Sequence, residues 1–136
     1  MLATNIFRTV GSVTDPRRVF GDAGEELAAT FLVTAGFRIL DRQARTPFGE
    51  IDLVCEDEDE IVFVEVKTRA SDEFGYPEEA ITPAKFRHMV ASAEAFLAGC
   101  GWETRLWRID VLAIRVIPGM DSEITHLKAI DAPFGR

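Results

Sequence analysis

Hydrophobic residues change their spacing several times along the chain, and each change predicts a new element of secondary structure. Spacings of three and four residues, as in Leu27, Phe31 and Leu32, predict an amphipathic helix. Short apolar runs bounded by glycine, proline and acidic residues predict strands. The predicted elements are a helix at 22–35, strands at 37–43, 50–55 and 61–67, a helix from Pro83 to about Gly99, and strands at 106–116 and 124–130.

The order of these elements, α-β-β-β-α-β-β, predicts an α/β fold with a mixed β-sheet flanked by helices. Short turns join the first three strands, which is typical of an antiparallel meander, whereas the strand–helix–strand segment that follows predicts a crossover. We expect one domain at residues 21–136, because a chain of 136 residues is long enough to bury one core. Residues 1–20 are weakly patterned and are predicted to form a loosely ordered N-terminal arm.

The charge of the chain restricts the functions that it can have. The formal net charge is −8, which argues against a general nucleic-acid binder, because such proteins are usually basic. The acidic run Glu56–Glu60 supplies five of these charges and is predicted to be a solvated turn, so the rest of the chain carries −3. No apolar run approaches the ~20 residues of a membrane span or forms a signal peptide, so we expect a cytoplasmic protein with no membrane partner.

Cysteine and histidine do not predict a zinc site. Cys55 and Cys100 are far apart and belong to no paired motif, so we interpret them as small apolar residues with free thiols. His88 and His126 are equally isolated, and we expect both at the surface or at a sheet edge. Any metal site must therefore be built from acidic residues.

The segment Ile61–Lys67, with the sequence IVFVEVK, carries the first chemically unusual residues. Side chains alternate along a strand, so Glu65 and Lys67 share one face with Phe63. An apolar strand of this kind is expected at the centre of a sheet, where a carboxylate needs a partner or a metal ion. The simpler alternative is an ion pair between Glu65 and Lys67 at a strand end.

A second acid, Asp52, lies between apolar residues on the neighbouring predicted strand. Together Asp52 and Glu65 provide two oxygen ligands of the kind that Mg²⁺ binds. Lys67 could then orient or help to deprotonate a water molecule, or offset charge on a phosphate in the transition state. Glu50 shares the face of Asp52 and is either a further ligand or, more simply, an exposed residue at the start of the strand.

The predicted helices and loops add weaker candidates. Glu25 borders the apolar stripe of the first helix, whereas Glu26 faces away from it. Glu25 is therefore either a further metal ligand or an acid that interacts favourably with the helix dipole. Arg45, Arg69 and Lys85 are candidates for phosphate contacts, with solvated surface charge as the alternative for each.

The spacing of Asp52 and Glu65-Val66-Lys67 resembles the PD-(D/E)XK nuclease pattern, although Ile51 stands where that pattern usually has proline. More closely, the chain resembles the bacterial YraN family, which is similar to archaeal Holliday-junction resolvases. This resemblance covers about residues 20–134. The matching segments are 24–28 (GEELA), 36–40 (GFRIL), 49–54 (GEIDLV), 62–69 (VFVEVKTR), 74–77 (FGYP), 108–111 (RIDV) and 124–127 (ITHL).

The resemblance implies a restriction-endonuclease-like fold, a requirement for Mg²⁺ or Mn²⁺, and hydrolysis of DNA phosphodiesters, with branched or junction DNA as a substrate. Resolvase-like relatives are dimers, which implies a homodimer here. Asp110 falls in a late strand motif to which the resemblance gives no role. By position, the resemblance makes Asp52, Glu65 and the carbonyl of Val66 metal ligands, Lys67 the catalytic lysine, and Glu25 a helix acid of the site.

Two other functions stay open on the sequence alone. The fold could bind nucleic acid or a protein without cleaving anything, which the acidic net charge favours. Alternatively, the polar residues could pair only with one another in a purely structural role. Binding of divalent cations separates these alternatives from the nuclease, because a ligand that binds only the folded state stabilises it.

Overall fold

The computed structural model describes residues 16–70 and 81–130, with side chains from residue 23 onward. Helices and strands follow one another in the predicted α-β-β-β-α-β-β order. No helix within these two ranges is long and apolar enough to cross a membrane. The elements are α1 (Pro16–Thr34), β1 (Arg38–Thr46), β2 (Gly49–Asp57), β3 (Glu60–Ala70), α2 (Pro83–Cys100), β4 (Trp107–Val116) and β5 (Glu123–Leu127).

The strands form one mixed sheet in the order β1-β2-β3-β4-β5. The pairs β1–β2, β2–β3 and β4–β5 are antiparallel, whereas β3 and β4 are parallel from Ile61–Trp107 to Ala70–Val116. A parallel pair needs a crossover connection, and α2 lies between these two strands in the sequence. The predicted antiparallel meander and mixed sheet are therefore confirmed.

The central strand, β3, is buried on both faces, with α1 covering one face and α2 the other. Val62 and Val64 belong to the apolar core under α1, and Ile61 and Phe63 belong to the core under α2. Each of these four side chains exposes 3% of its surface or less. This two-sided burial explains why the strand is an almost continuous apolar run, as the sequence analysis expected.

Both helices end at a glycine in the left-handed region of backbone conformation. Gly36 after α1 has a φ of 100° and Gly101 after α2 has a φ of 73°. The amide of Phe37 then donates to the carbonyl of Leu32 at 2.9 Å, and the residue after Gly101 makes the equivalent bond in α2. These bonds satisfy carbonyls that would otherwise lack partners at the helix ends.

The element boundaries differ from the predicted ones by a few residues. α1 begins at Pro16, inside the predicted arm at 1–20, and residues 1–15 of that arm lie outside the described residues. β3 runs on to Ala70 because β4 continues to pair with it. Residues 68–70 of the loop predicted at 68–77 therefore belong to β3, and residues 71–77 lie outside the described ranges.

α1 approaches β3 most closely where Gly24 faces Thr68. A Cβ atom added to Gly24 would lie 2.1 Å from Oγ1 of Thr68 and 3.2 Å from its Cβ. Only glycine allows the helix to lie so close to the strand. Gly24 directly precedes Glu25 on the helix, and Thr68 directly follows Lys67 on the strand. The contact between Gly24 and Thr68 therefore limits the distance between these two candidate residues.

A buried ionic network on the α1 side of the sheet joins β4 to β5. Asp110 is 0% exposed and accepts hydrogen bonds from Arg108 at 2.9 Å and from the amide of Ala129 at 2.8 Å, while Nε2 of His126 lies 2.8 Å away. Burial alone would raise the pKa of Asp110, but hydrogen bonds from His126 and Arg108 outweigh it and hold the pKa below its ordinary value. His126 lies on the edge strand β5, which agrees with the predicted sheet-edge position, and only 11% of its side chain is exposed.

The acidic run Glu56–Glu60 is only partly the solvated turn that the sequence predicted. Glu56 pairs with Arg38 and Arg105, and the other two partly buried acids of the run pair with Arg108. Only the two residues at the tip of the hairpin are exposed. The largest concentration of negative charge is therefore partly neutralised by three arginines.

We expect Gly24→Ala to destabilise the protein, because its Cβ would overlap Thr68 and force α1 away from β3. Overpacking of this kind typically reduces the free energy of unfolding by about 1–3 kcal/mol. Urea denaturation of the parent and the variant would measure the change. Thr68→Ala removes the overlapping Oγ1, so the double variant should recover part of the loss. If the double variant lost as much stability as the two single variants together, the steric explanation would be contradicted.

We expect Asp110→Asn to lower the free energy of unfolding at pH 7 by about 3 kcal/mol, because it removes the fully buried carboxylate partner of Arg108, which then keeps only the partly exposed acids Asp57 and Glu60. The folded pKa of Asp110 lies below its ordinary value of 3.8, so its stabilising effect is complete above that pH and is lost as the pH falls through the folded pKa. Urea titrations at pH 7, 5 and 3 should therefore show the difference from the parent shrinking only in strong acid. Asp121→Asn, an exposed acid, is the matched control.

Candidate functional site

β2 and β3 separate at one end of the sheet and leave an opening between them. Their ladder runs from Asp57–Glu60 to Leu53–Val64 and ends there. Beyond this point β3 continues to Ala70 with β4 as its ladder partner. Residues on the open edge of β3 therefore face a gap, and Asp52 on β2 is the first residue on the other side of that gap.

The side chain of Asp52 replaces the missing ladder contact. Its Oδ2 accepts a hydrogen bond of 2.8 Å from the amide of Val66. The amide and carbonyl of one residue point to the same side of a strand, so the carbonyl of Val66 also faces the gap. Two kinds of oxygen, the carboxylate of Asp52 and this carbonyl, thus lie beside each other at the opening.

The hairpin of β1 and β2 is distorted opposite this opening. Gln43 has a φ of 50°, and it stands at the position of β1 that faces Asp52 in the register of the two strands. Ile51 packs in the core under α2 whereas Leu53 packs in the core under α1, so the regular alternation of faces is broken at Asp52. Such irregularities bend a strand, which here accompanies the departure of β2 from β3.

Glu65 is held by a lysine from α2. The Nζ atom of Lys85 lies 3.1 Å from Oε2 of Glu65, and the two side chains are 37% and 15% exposed, respectively. The charge of Lys85 also acts on Lys67, which is the next residue on the same face of β3. Glu65 thus forms its ion pair with Lys85 rather than with Lys67, the partner that the sequence suggested, while the charge of Lys67 still interacts with Glu65.

Glu25 joins this group from α1. Gln43 donates a hydrogen bond of 3.2 Å to Oε1 of Glu25, and the charge of Glu25 acts on Asp52. Glu26 points outward as predicted, with 58% of its side chain exposed and an ion pair to Arg42 at 2.8 Å. The helical spacing thus correctly distinguished the inward acid from the outward one. We call Glu25, Asp52, Glu65, Lys67 and Lys85 the acid–lysine cluster.

The pKa of Asp52 is raised from 3.8 to about 7. Burial is the largest cause, and repulsion by the neighbouring charge of Glu65 is the second. The amide of Val66 and the ammonium of Lys85 act in the opposite direction, while Glu25 adds to the increase. A carboxylate in these surroundings is costly when ionised, and a cation placed between the acids would remove the cost.

The two lysines of the cluster are shifted in opposite directions. Burial and the neighbouring charge of Lys85 lower the pKa of Lys67. Burial would also lower the pKa of Lys85, but attraction by Glu65 and the hydrogen bond to it outweigh burial and raise that pKa. Lys85 therefore stays an ammonium, while Lys67 releases a proton more readily than an ordinary lysine does.

A cleft of about 430 Å³ lies between α2 and the start of β2, and it contains part of the cluster. Asp52, Glu65 and Lys85 line it together with Phe48, which is 55% exposed. Glu25 and Lys67 interact with Asp52 without lining the cleft. The acids are thus accessible to a molecule that enters between the β1–β2 turn and α2.

The β1–β2 turn that borders the cleft is fixed against α2. Thr46 Oγ1 donates to the carbonyl of Gly49 at 2.8 Å and accepts from the amide of Phe48 at 3.0 Å. The same oxygen lies 3.2 Å from Oγ of Ser92, a buried residue of α2. The distance between the two walls of the cleft is therefore set by hydrogen bonds rather than by loose loop residues.

The remaining candidates lie around the cluster rather than in it. Glu50 lines the cleft but is 46% exposed and lies 3.7 Å from Arg45, in agreement with an exposed residue at the start of a strand. Arg45 is 86% exposed on β1. Arg69 is partly buried near the end of β3. The sequence predicted the same role for Lys85 as for these arginines and did not predict its contact with Glu65. The two residues are distant in sequence, so no local pattern indicates that they meet.

The donor atoms at the opening fit a hard divalent cation. Within residues 16–70 and 81–130, no three side chains of aspartate, glutamate, histidine or cysteine are close enough to hold a metal ion by themselves. Mg²⁺ needs fewer, because it keeps several waters and takes one or two carboxylates. Asp52 and Glu65 meet that requirement, and the Val66 carbonyl adds a neutral oxygen, whereas histidine and cysteine are absent from the cluster.

Comparison with known proteins identifies the family. The model of the uncharacterised protein family UPF0102 matches residues 24–114, a range that contains the whole acid–lysine cluster. A UPF0102 protein of Anaeromyxobacter dehalogenans is 44% identical over 126 residues, or 93% of each chain. Relatives of the same name are 46% identical in Syntrophomonas wolfei (81% of this chain, 95% of the relative) and 46% identical in Symbiobacterium thermophilum (79% and 89%). The chain therefore belongs to the UPF0102 family, the YraN-type family that its motifs resemble.

Proposed function

We propose that the protein is a metal-dependent nuclease of the PD-(D/E)XK superfamily, with a restriction-endonuclease-like fold, that hydrolyses DNA phosphodiesters. The observation that supports this best is the acid–lysine cluster, in which carboxylates from α1, β2 and β3 meet two lysines where β2 and β3 separate. A simple ion pair at a strand end would account for Glu65 and a lysine. It does not account for Asp52, which is partly buried and interacts with two further acids.

The cation would be Mg²⁺ or Mn²⁺, held by Asp52, Glu65 and the carbonyl of Val66, with Glu25 contributing through water. Such an ion, when bound, supplies Lewis-acid polarisation of a phosphodiester and makes a nearby water molecule more acidic. The remaining chemistry falls to residues of the chain. The Val66 amide holds Oδ2 of Asp52 in place with a hydrogen bond of 2.8 Å.

Lys67 is the residue that we assign to proton transfer or charge stabilisation. Its lowered pKa lets Nζ release a proton more readily than an ordinary lysine does. As an ammonium it would offset the charge that develops on a phosphate. Both roles require Lys67 to lie beside the acids, and its electrostatic interactions with Glu65 and Asp52 satisfy that requirement.

Contacts with the DNA backbone are assigned to Arg45 on β1, Arg69 near the end of β3, and Lys85, which lines the cleft. The acidic net charge is compatible with this assignment, because the most acidic segment, Glu56–Glu60, lies at the opposite end of β2 and β3 and is partly paired with arginines. We expect weak binding that depends strongly on salt. Branched or junction DNA and a homodimeric enzyme follow from the resemblance to resolvases and are proposed on that basis.

We expect Asp52→Asn to raise the melting temperature at pH 8 without divalent cations. The folded pKa of Asp52 is about 7 and its ordinary value is 3.8, so its ionisation destabilises the fold progressively as pH rises from about 4 to about 7. Asparagine removes that charge and keeps an oxygen for the Val66 amide. Thermal melts should show that the melting temperature of the variant exceeds that of the parent by several degrees at pH 8 and by less at pH 5. For a domain of this size, 1 kcal/mol of stability changes the melting temperature by ~4 °C.

The same melts with Mn²⁺ or Mg²⁺ test the metal site. The parent should gain stability at pH 8 on addition of the ion, and Asp52→Asn should gain little. Asp59→Asn, at the exposed tip of the β2–β3 hairpin, is the matched control and should respond like the parent. Equal responses of the parent and Asp52→Asn would exclude Asp52 as a ligand.

We expect the purified protein with Mn²⁺ to cleave end-labelled DNA that contains a junction, a flap or a single strand. Lys67→Met should reduce the single-turnover rate by roughly 100-fold or more, which is typical for loss of one group that stabilises the transition state. Glu65→Gln should reduce the rate to a similar degree. Denaturing gels over a range of protein concentrations would measure the cleavage.

Lys128→Met is the control for Lys67→Met, because it removes an exposed lysine far along the chain from the cluster. It should retain the parent rate. If none of these DNA forms is cleaved with either ion, while the parent still binds them, the protein is a binding module and the proposed function is wrong.

A further inference from the structure

Lys85 occupies a position that is unfavourable for a lysine in isolation. It is the third residue of α2, after Pro83, and its amide donates to Oγ1 of the N-cap residue Thr82 at 3.1 Å. The start of a helix carries partial positive charge and favours acids over cations. The ion pair with Glu65 compensates for this cost, which ties the side chain of Lys85 to the acids rather than to its own helix.

The ammonium of Lys85 lines the open cleft together with two of the acids and is more exposed than the carboxylate that it pairs with. Glu65 is 15% exposed, whereas Lys85 is 37% exposed, and both line the same cleft with Asp52. A molecule that enters the cleft therefore meets the lysine as well as the acids. The four-carbon side chain can carry the ammonium away from Glu65 without any movement of the backbone, which the Thr82 cap holds.

The charge balance of the acid–lysine cluster favours replacement of the Lys85 ammonium by a divalent cation. With all three acids ionised, the three carboxylates exceed the two ammonium groups by one negative charge. A divalent ion added to these five groups would leave an excess of positive charge next to Lys85. A phosphodiester, which carries one negative charge, would then restore neutrality.

We propose that Lys85 is a built-in counter-ion that a divalent cation must displace from Glu65, and that the displaced ammonium then binds a phosphate of the nucleic acid. This inference rests on the proposed function, since it concerns the same acids. It makes cation and nucleic acid bind cooperatively, because each one removes an unfavourable charge that the other creates. Without nucleic acid, the affinity for the cation is low, since Lys85 competes for Glu65.

The test is a calorimetric titration of Mn²⁺ alone into the full chain. It is carried out for the parent, Lys85→Met and Arg87→Met. Lys85→Met should bind Mn²⁺ at least about tenfold more tightly than the parent, because the competing charge at 3.1 Å from Glu65 is gone. Arg87→Met removes a charge from the exposed side of the same helix and should bind within about twofold of the parent. Lys85→Gln serves as a second variant if the methionine variant melts at a much lower temperature.

A second measurement uses fluorescence anisotropy of a labelled single-stranded oligothymidylate with and without Ca²⁺. In the parent the ion should tighten binding of the oligonucleotide. The coupling is the logarithm of the ratio of the Kd values without and with Ca²⁺, and in Lys85→Met it should be less than half of its value in the parent. A structural ion pair would not produce this result. Its loss would affect the melting temperature and leave the coupling unchanged.

The outcomes separate the inference from the proposed function. If the parent binds Mn²⁺ and Lys85→Met binds it equally or more weakly, Lys85 is not a competing counter-ion and the inference is wrong, while the metal site stands. If neither the parent nor either Lys85 variant binds Mn²⁺ at millimolar concentration, both the inference and the metal site are wrong. Tighter binding by Lys85→Met with normal coupling would overturn the phosphate contact.

Discussion

The hydrogen bond from the Val66 amide to Asp52 is the contact on which the candidate site depends. If β2 continued to pair with β3, the ladder would close the gap and no ligand could reach the acids. If β2 simply departed, the amide of Val66 would be left without a partner in a largely buried place, which is costly. The carboxylate of Asp52 allows the strands to separate and keeps the amide satisfied, so an opening forms at one end of the β2–β3 pair.

Around that opening, each of four elements contributes a charged side chain at a distance fixed by packing. Gly24 lets α1 lie against Thr68, which brings Glu25 towards Asp52. The N-cap at Thr82 fixes the start of α2 and thus the base of Lys85. The buried network of Asp110 braces β4 and β5 on the α1 side and takes no part in the cluster. Rigid elements therefore hold three carboxylates near one another, although their charges repel.

Sequence patterns were sufficient for the fold and for most of the cluster, because both depend on local periodicity. Alternation in IVFVEVK placed Glu65 and Lys67 on one face, and helical spacing separated Glu25 from Glu26. Other features depend on contacts between residues distant in sequence, which no local pattern encodes. The pair of Lys85 with Glu65 requires α2 to lie at one particular depth on the sheet, and the approach of His126 to Asp110 requires the register of β5.

The distance between the acidic hairpin and the cleft has a consequence for how this molecule would meet a polyanion. The hairpin at Glu56–Glu60 and the opening at Asp52 lie at opposite ends of the β2–β3 pair. A uniformly acidic surface would only slow the approach of a polyanion, but an uneven one also exerts a torque. The hairpin end would be repelled more strongly, so the molecule would rotate to present the other end. The acidic charge would then reduce the number of encounters with a polyanion. It would also increase the fraction of encounters in which the cleft faces the polyanion.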